Sequence, residues 1–207
     1  MLRLRAGRSL GRRDASDDAG AVAVEAALLL PIFFLIILTI MEFALMMRDT
    51  LSVTESARVG VRIATAMPRQ ADFSRTTVEA IERAGTAMPK ENIRQVLIYK
   101  ANPQGYPGPI GSTTMSCAGT ETSCDRYTWD ASAGEFVLAS GAAWNPLAPE
   151  GTPGHVNACP GDLGPPDQVG VYVEARHDWV TGLFGSGRTL SDRAVLPFEP
   201  LQPAVCR

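Results

Sequence analysis

With 207 residues, 45% of them hydrophobic and 20% charged, and a formal net charge of −3, the chain has room for one modest domain plus accessories. Outside residues 1–20 it carries 14 Lys/Arg against 19 Asp/Glu, an acidic balance that argues against nucleic acid as a partner. No Gly-x-Ser-x-Gly turn, phosphate loop, dinucleotide fingerprint or His-Glu-x-x-His pair occurs, so the chain reads as a non-enzyme without a cofactor.

The first twenty residues form a basic leader, with Arg3, Arg5, Arg8, Arg12 and Arg13 against Asp14, Asp17 and Asp18. Residues 21–47 are almost wholly apolar and long enough to cross a bilayer as a helix. Arg48 alone flanks the far end, so the positive-inside rule predicts a cytoplasmic N-terminus and a head on the other side. Within the run, Glu25 and Glu42 oppose insertion, at roughly 2.5–3.5 kcal/mol for a carboxylate at mid-bilayer. The thirteen Leu, Ile and Phe between Leu28 and Leu45 favour it by about 0.3–0.6 kcal/mol each, on the order of 4–8 kcal/mol together. Insertion is thus tolerated, and Glu25 needs a reason of its own. A cleaved secretory signal is the weaker reading, because the run is about twice the usual apolar core and no small-x-small site follows it closely.

From Arg48 to Ala66 nothing but Gly60 interrupts a helix, so the pattern predicts that the span continues as a membrane-proximal stalk over 48–66. Ser52, Ser56, Gly60 and Ala64 recur every fourth residue as a ridge of small side chains suited to close helix packing, within the chain or between chains. Pro68 closes the element. A second helix is predicted over Thr76–Ala84, with Thr76 and Glu79 as a capping box, Gly85 as the stop, and Arg75, Glu79 and Arg83 on its wet face.

Beyond it, Arg94–Ala101 is β-branched and aromatic enough for a strand. Residues 101–168 hold nine Pro and ten Gly, which leaves room only for short strands around Tyr127–Trp129 and Phe136–Leu138 flanking a turn. Val169, Val171, Val173 and Ala175 alternate with polar or small residues as a half-buried strand, and Thr189–Leu196 forms another that ends before Pro197. An apolar, glycine-punctuated loop, 179–187, joins the last two. The fold class is α+β: a long N-terminal transmembrane and stalk helix, then a head over 67–207 built on a small antiparallel sheet of three to five strands with a loop-rich, disulfide-stapled insertion.

All four cysteines lie beyond the span, where an oxidising compartment favours disulfides. Three connectivities are possible; Cys117–Cys124 closing a short loop and Cys159–Cys206 tying back the tail is the pairing expected. His155-x3-Cys159 is an isolated pair and predicts no metal site. His177-Asp178 invites a catalytic reading, but adjacent strand residues point to opposite faces, so a polar strand end is the simpler account.

A basic leader, then Gly20, then an apolar helix whose fifth residue after the glycine is Glu25 is the arrangement of type IV pilin-like precursors. Gly20-Ala-Val-Ala-Val-Glu25-Ala-Ala-Leu-Leu-Leu-Pro31, together with Glu42-Phe43 and the helix Ala57–Ala64, resembles the TadE/TadG-like family of tight-adherence (Flp, type IVc) pilus systems. The resemblance implies a minor pseudopilin or assembly component in the bacterial inner membrane, with other pilins and pseudopilins, the Tad inner-membrane platform and a prepilin peptidase as partners. It further implies cleavage between Gly20 and Ala21, and pairing of Glu25 with the free amine of Ala21 on a neighbouring subunit, which would set subunit register. Pro31 would loosen the helix. The alternative is an uncleaved single-pass protein that presents the head as a binding or scaffold domain.

Overall fold

The computed structural model describes residues 14–68, 70–84, 87–118, 123–141, 144–152, 154–159 and 164–202, with side chains from Gly20 onward. The leader arginines, Gly85 and Cys206 therefore lie outside the described residues. The chain separates into two compact units, Met1–Ala44 and Leu45–Arg207.

In the first unit a single helix, α1, begins at Asp14 and continues without a break through Pro31. The helix is long and apolar enough over Gly20–Thr65 to cross a membrane, and no residue of its most apolar window is buried. Leu28, Leu29, Ile32, Phe33 and Phe34 are all more than half exposed, which in water would be ruinous and in lipid is the resting state. The hydroxyl of Thr39 donates to the carbonyl of Leu35 at 2.8 Å, so this polar group is satisfied within the helix.

α1 runs on to Thr65, and its last turns belong to the second unit. There Val53, Ala57, Val61 and Ala64 are buried, so the residues expected to form a stalk are part of the head's own core. The head is a five-stranded antiparallel sheet in the order β3-β2-β1-β4-β5, with β1 Ile93–Ala101, β2 Cys124–Asp130, β3 Glu135–Ser140, β4 Gln168–His177 and β5 Arg188–Pro197. Every predicted strand is present, each somewhat longer than its apolar pattern. β5 takes in Pro197, which pairs with Gln168 at the outer end of an edge strand, where the missing N–H costs no ladder bond.

The second helix, α2, spans Phe73–Arg83 and starts three residues earlier than the capping box predicts. Asp72 is its N-cap, and Thr76 lies inside the helix, its N–H bonded to the carbonyl of Asp72. Core packing overrides the local signal here. Phe73 is fully buried, edge-on to Trp144 at 4.8 Å between ring centres and near Phe198 at 6.3 Å, and helical backbone is needed to aim it there. Glu79 turns outward to Arg75 at 3.1 Å and Arg83 at 3.7 Å, the solvated charge run its spacing predicts.

Both faces of the sheet are covered. On the helical side, alternate residues of β4 (Val169, Val171, Val173 and Ala175) are fully buried with Val96 and Ile98 of β1 beneath the helices, and each such Val contributes about 1.5–3 kcal/mol. On the other side Leu97, Tyr99, Cys117 and Cys124 make a smaller cluster with Met115 and Tyr172. The glycine- and proline-rich segment after β1 lies over it and is organised by Asn102. That side-chain amide donates to the carbonyls of Pro109 and Ser112, and its oxygen accepts from the N–H groups of Gln104 and Tyr106.

The insertion between β3 and β4 holds more core than its composition suggests. Trp144 is fully buried and donates from Nε1 to the carbonyl of Gly154 at 2.7 Å, while its backbone N–H donates to the carboxylate of Asp125. Burial pushes the carboxyl of Asp125 above the ordinary carboxylate range, against the opposing pull of its hydrogen bonds from Ser74 and Trp144.

One glycine carries a specific steric role. Gly170 stands opposite Tyr99 in the β1–β4 ladder, and a Cβ there would come within 2.3 Å of the Tyr99 ring. The ring is buried and anchored by its hydroxyl, which donates to the carbonyl of Gly105 at 3.0 Å, so it cannot swing aside cheaply. Gly170→Ala is expected to lower head stability by about 1–3 kcal/mol, read as a fall in chemical-denaturation midpoint with unchanged slope.

Candidate functional site

The residues picked out at the start of the apolar run all fall on exposed helix. Gly20 has nothing within 4 Å of where a Cβ would stand, and Ala21 and Glu25 are exposed. Ala21 and Glu25 are four residues apart, so they share one face a single turn from each other, whereas Gly20 lies on another face. The Glu25 carboxylate and the Ala21 backbone are thus presented together on one exposed face of the helix. Because α1 begins at Asp14, the bond between Gly20 and Ala21 lies within helical backbone.

The ridge of small residues faces the opposite environment. Ser52, Ser56, Gly60 and Ala64 are all buried within the head, with Ser56 donating to the carbonyl of Ser52 at 2.8 Å. A Cβ on Gly60 would meet Ile81 of α2 at 2.7 Å and Val171 of β4 at 3.0 Å. The close approach that the ridge permits is taken up by α2 and the sheet of the same chain.

Cys117 and Cys124 are joined by a disulfide, seven residues apart, which pins the segment after β1 to the first residue of β2. Cys159 is disulfide-bonded too; its expected partner, Cys206, is outside the described residues. His155 bonds through Nδ1 to the carbonyl of Ala148 at 2.8 Å, so with Cys159 oxidised the pair offers no ligand set.

A feature that motif reasoning misses joins the two ends of the head. His177, the last residue of β4, bonds through Nδ1 to Oδ2 of Asp49 at 2.7 Å, with both side chains buried. The other oxygen of Asp49 accepts from Arg48, at 3.1 Å from Nε and 2.9 Å from Nη2. Trp179 stands edge-on to the imidazole at 4.8 Å and in turn meets Phe184 at 5.2 Å. Further along, Thr54 donates to Asp192 of β5 at 2.7 Å, and the N–H of Glu199 bonds to the carbonyl of Thr65. An Asp–His pair can orient a general base, but Nε2, the atom that would exchange the proton, is buried and has no hydrogen bond among the described residues. The arrangement is a fastening between helix and sheet, and its Nε2 is out of a substrate's reach.

No curated protein and no solved structure matches the chain. The segment that opens at Gly20, presents Glu25 on the apolar helix and ends among the buried turns of the head matches, over residues 20–62, the family described as TadE-like protein.

Proposed function

We propose that the chain is a minor pseudopilin or assembly component of a Tad/Flp-type (type IVc) pilus, anchored by α1 with its N-terminus in the cytoplasm and its head on the far side, where it helps to initiate or tip the fibre. One long apolar helix near the N-terminus together with the TadE-like match fits a single-pass inner-membrane protein of a Tad pilus system. The observation that supports the reading is where the match falls: it begins at Gly20 and covers Glu25, which this reading assigns to processing and register. TadE-like proteins are structural and assembly proteins, in keeping with a head whose Asp–His pair is closed off. Its partners in this reading are other pilins and pseudopilins, the Tad inner-membrane platform and a prepilin peptidase.

Helical backbone through Gly20 favours a second reading, an uncleaved single-pass protein that presents the head as a scaffold. A peptidase has to unwind that turn first, although a glycine lowers the cost by about 1 kcal/mol relative to alanine. Deleting the gene tests the pilus role of the first reading: surface fibres are expected to be lost while the major pilin accumulates in the membrane. Normal piliation in the deletion strain would contradict it.

A further inference from the structure

We propose that the β4–β5 loop, residues 178–187, is a membrane-interface anchor, whose aromatic and aliphatic side chains enter the lipid surface beside the point where the apolar helix emerges. The proposal rests on reading α1 as a membrane span and is independent of any role in a pilus.

Three observations converge on it. The first is direction. Val171 of β4 lies against Gly60, and His177 lies against Asp49, so β4 advances along the helix toward the last apolar residues, Leu45–Met47. The Asp49–His177 bond holds the root of the loop beside this turn, and Met46, Met47 and Thr50 line one cleft with Arg188–Ser191 of the return strand. The loop thus lies at the end of the head from which the span departs.

The second is chemistry. Val180 is 68% exposed, Leu183 53% and Phe184 43%, unusual for three large apolar residues in one short turn of a folded head. Trp179, half-buried, lies beside them with its ring tilted against Phe184 at 5.2 Å. Trp and Phe with apolar neighbours are the side chains that favour the boundary between headgroups and acyl chains, reached at a depth of about 5–10 Å by interfacial segments.

The third is charge. Arg48, paired with Asp49, and Arg176, paired with Asp178, lie with Arg188 at the root of the loop, three cations against two carboxylates. The small cationic excess is compatible with lipid phosphates beside an apolar tip. A lipid surface accommodates this combination of exposed apolar tip, slight positive excess and proximity to the end of a span.

The test uses the full-length protein in vesicles of zwitterionic and anionic phospholipid whose acyl chains are brominated near the headgroup. The wild type is expected to lose up to about a third of its tryptophan emission, the share of one tryptophan among three, because Trp179 alone reaches the interface. Trp179→Phe should abolish that quenching. Val180→Asp with Leu183→Asp should reduce it severalfold while the head melts at an unchanged temperature. Equal quenching of wild type and Trp179→Phe, or none in either while the protein resists alkaline carbonate extraction, overturns the anchor and leaves the span intact. Extraction by carbonate overturns the span and the anchor together.

Discussion

Replacing Glu25 by Ala should leave the protein in the membrane yet cut fibre assembly by roughly 5–30-fold, the equivalent of one interhelical polar contact in lipid of about 1–2 kcal/mol. Insertion survives because the apolar residues from Leu28 to Leu45 outweigh the carboxylate, and removing it only favours insertion further. Assembly suffers because Glu25 shares a face with Ala21, one turn away, and an acid in lipid is tolerable only where a cation or donor meets it. In the proposed pairing a neighbouring subunit in the correct register supplies that partner, and one out of register leaves the acid unpaired. Glu25→Gln sharpens the test, because it keeps hydrogen bonding and removes charge. If the ion pair sets register, Gln should behave more like Ala than like Glu in fibre counts by electron microscopy. Wild-type piliation in both variants would remove Glu25 from the account.

The second large effect is in the head. Asp49→Ala or His177→Ala should each destabilise it by about 3–5 kcal/mol, because either change strands a buried polar partner, and at this size that lowers the melting temperature on the order of 10 °C. The bond spans 128 residues of sequence and fastens the helix to the end of β4. In Asp49→Ala, Arg48 also loses its acceptor, but at 50% exposure it can turn to water at little cost. The double variant should be hardly worse than either single one, since removing both members leaves nothing stranded. Additive losses in thermal unfolding would show that the two side chains act separately.

Much of this structure is legible in the sequence, and the misses have physical causes. β4 could be read because its apolar residues alternate, and β1, buried on both faces at its centre, because it is β-branched and aromatic. The helix could be read because apolar and small residues continue on both sides of Pro31 and Gly60, and α1 runs unbroken through both. α2 starts upstream of its local signal because Thr76 and Glu79 satisfy a capping rule, whereas Phe73 obeys a distant one: it must reach Trp144 and Phe198. Trp144 was hidden by its setting, since a lone aromatic among glycines and prolines carries no periodicity, and its place is set by Asp125 and Gly154. His177 was available to a closer reading. Val169, Val171, Val173 and Ala175 point inward, and the same period of two carries on to 177, so a histidine at that position is buried and must find a partner. What alternation could not say is that the partner would be Asp49, because only the packing of α1 on the sheet brings them together.

The small-residue ridge shows how one pattern serves two ends. Ser52, Ser56, Gly60 and Ala64 fit either association between subunits or close packing within one, and spacing is blind to the difference. In the folded head Ile81 and Val171 press against Gly60, so that face is occupied. If the proposed pilus role holds, the surface for other subunits is better sought on the exposed face of the apolar helix, where Ala21 and Glu25 lie.

The central claim is that this is a pilin-like subunit processed at Gly20, and the most direct measurement is N-terminal sequencing of the full-length protein recovered from membranes of cells that contain the prepilin peptidase. The account predicts a chain that starts at Ala21, five residues before Ala26 and with Glu25 one turn from a free amine. A chain that still starts at Met1 under those conditions would contradict it.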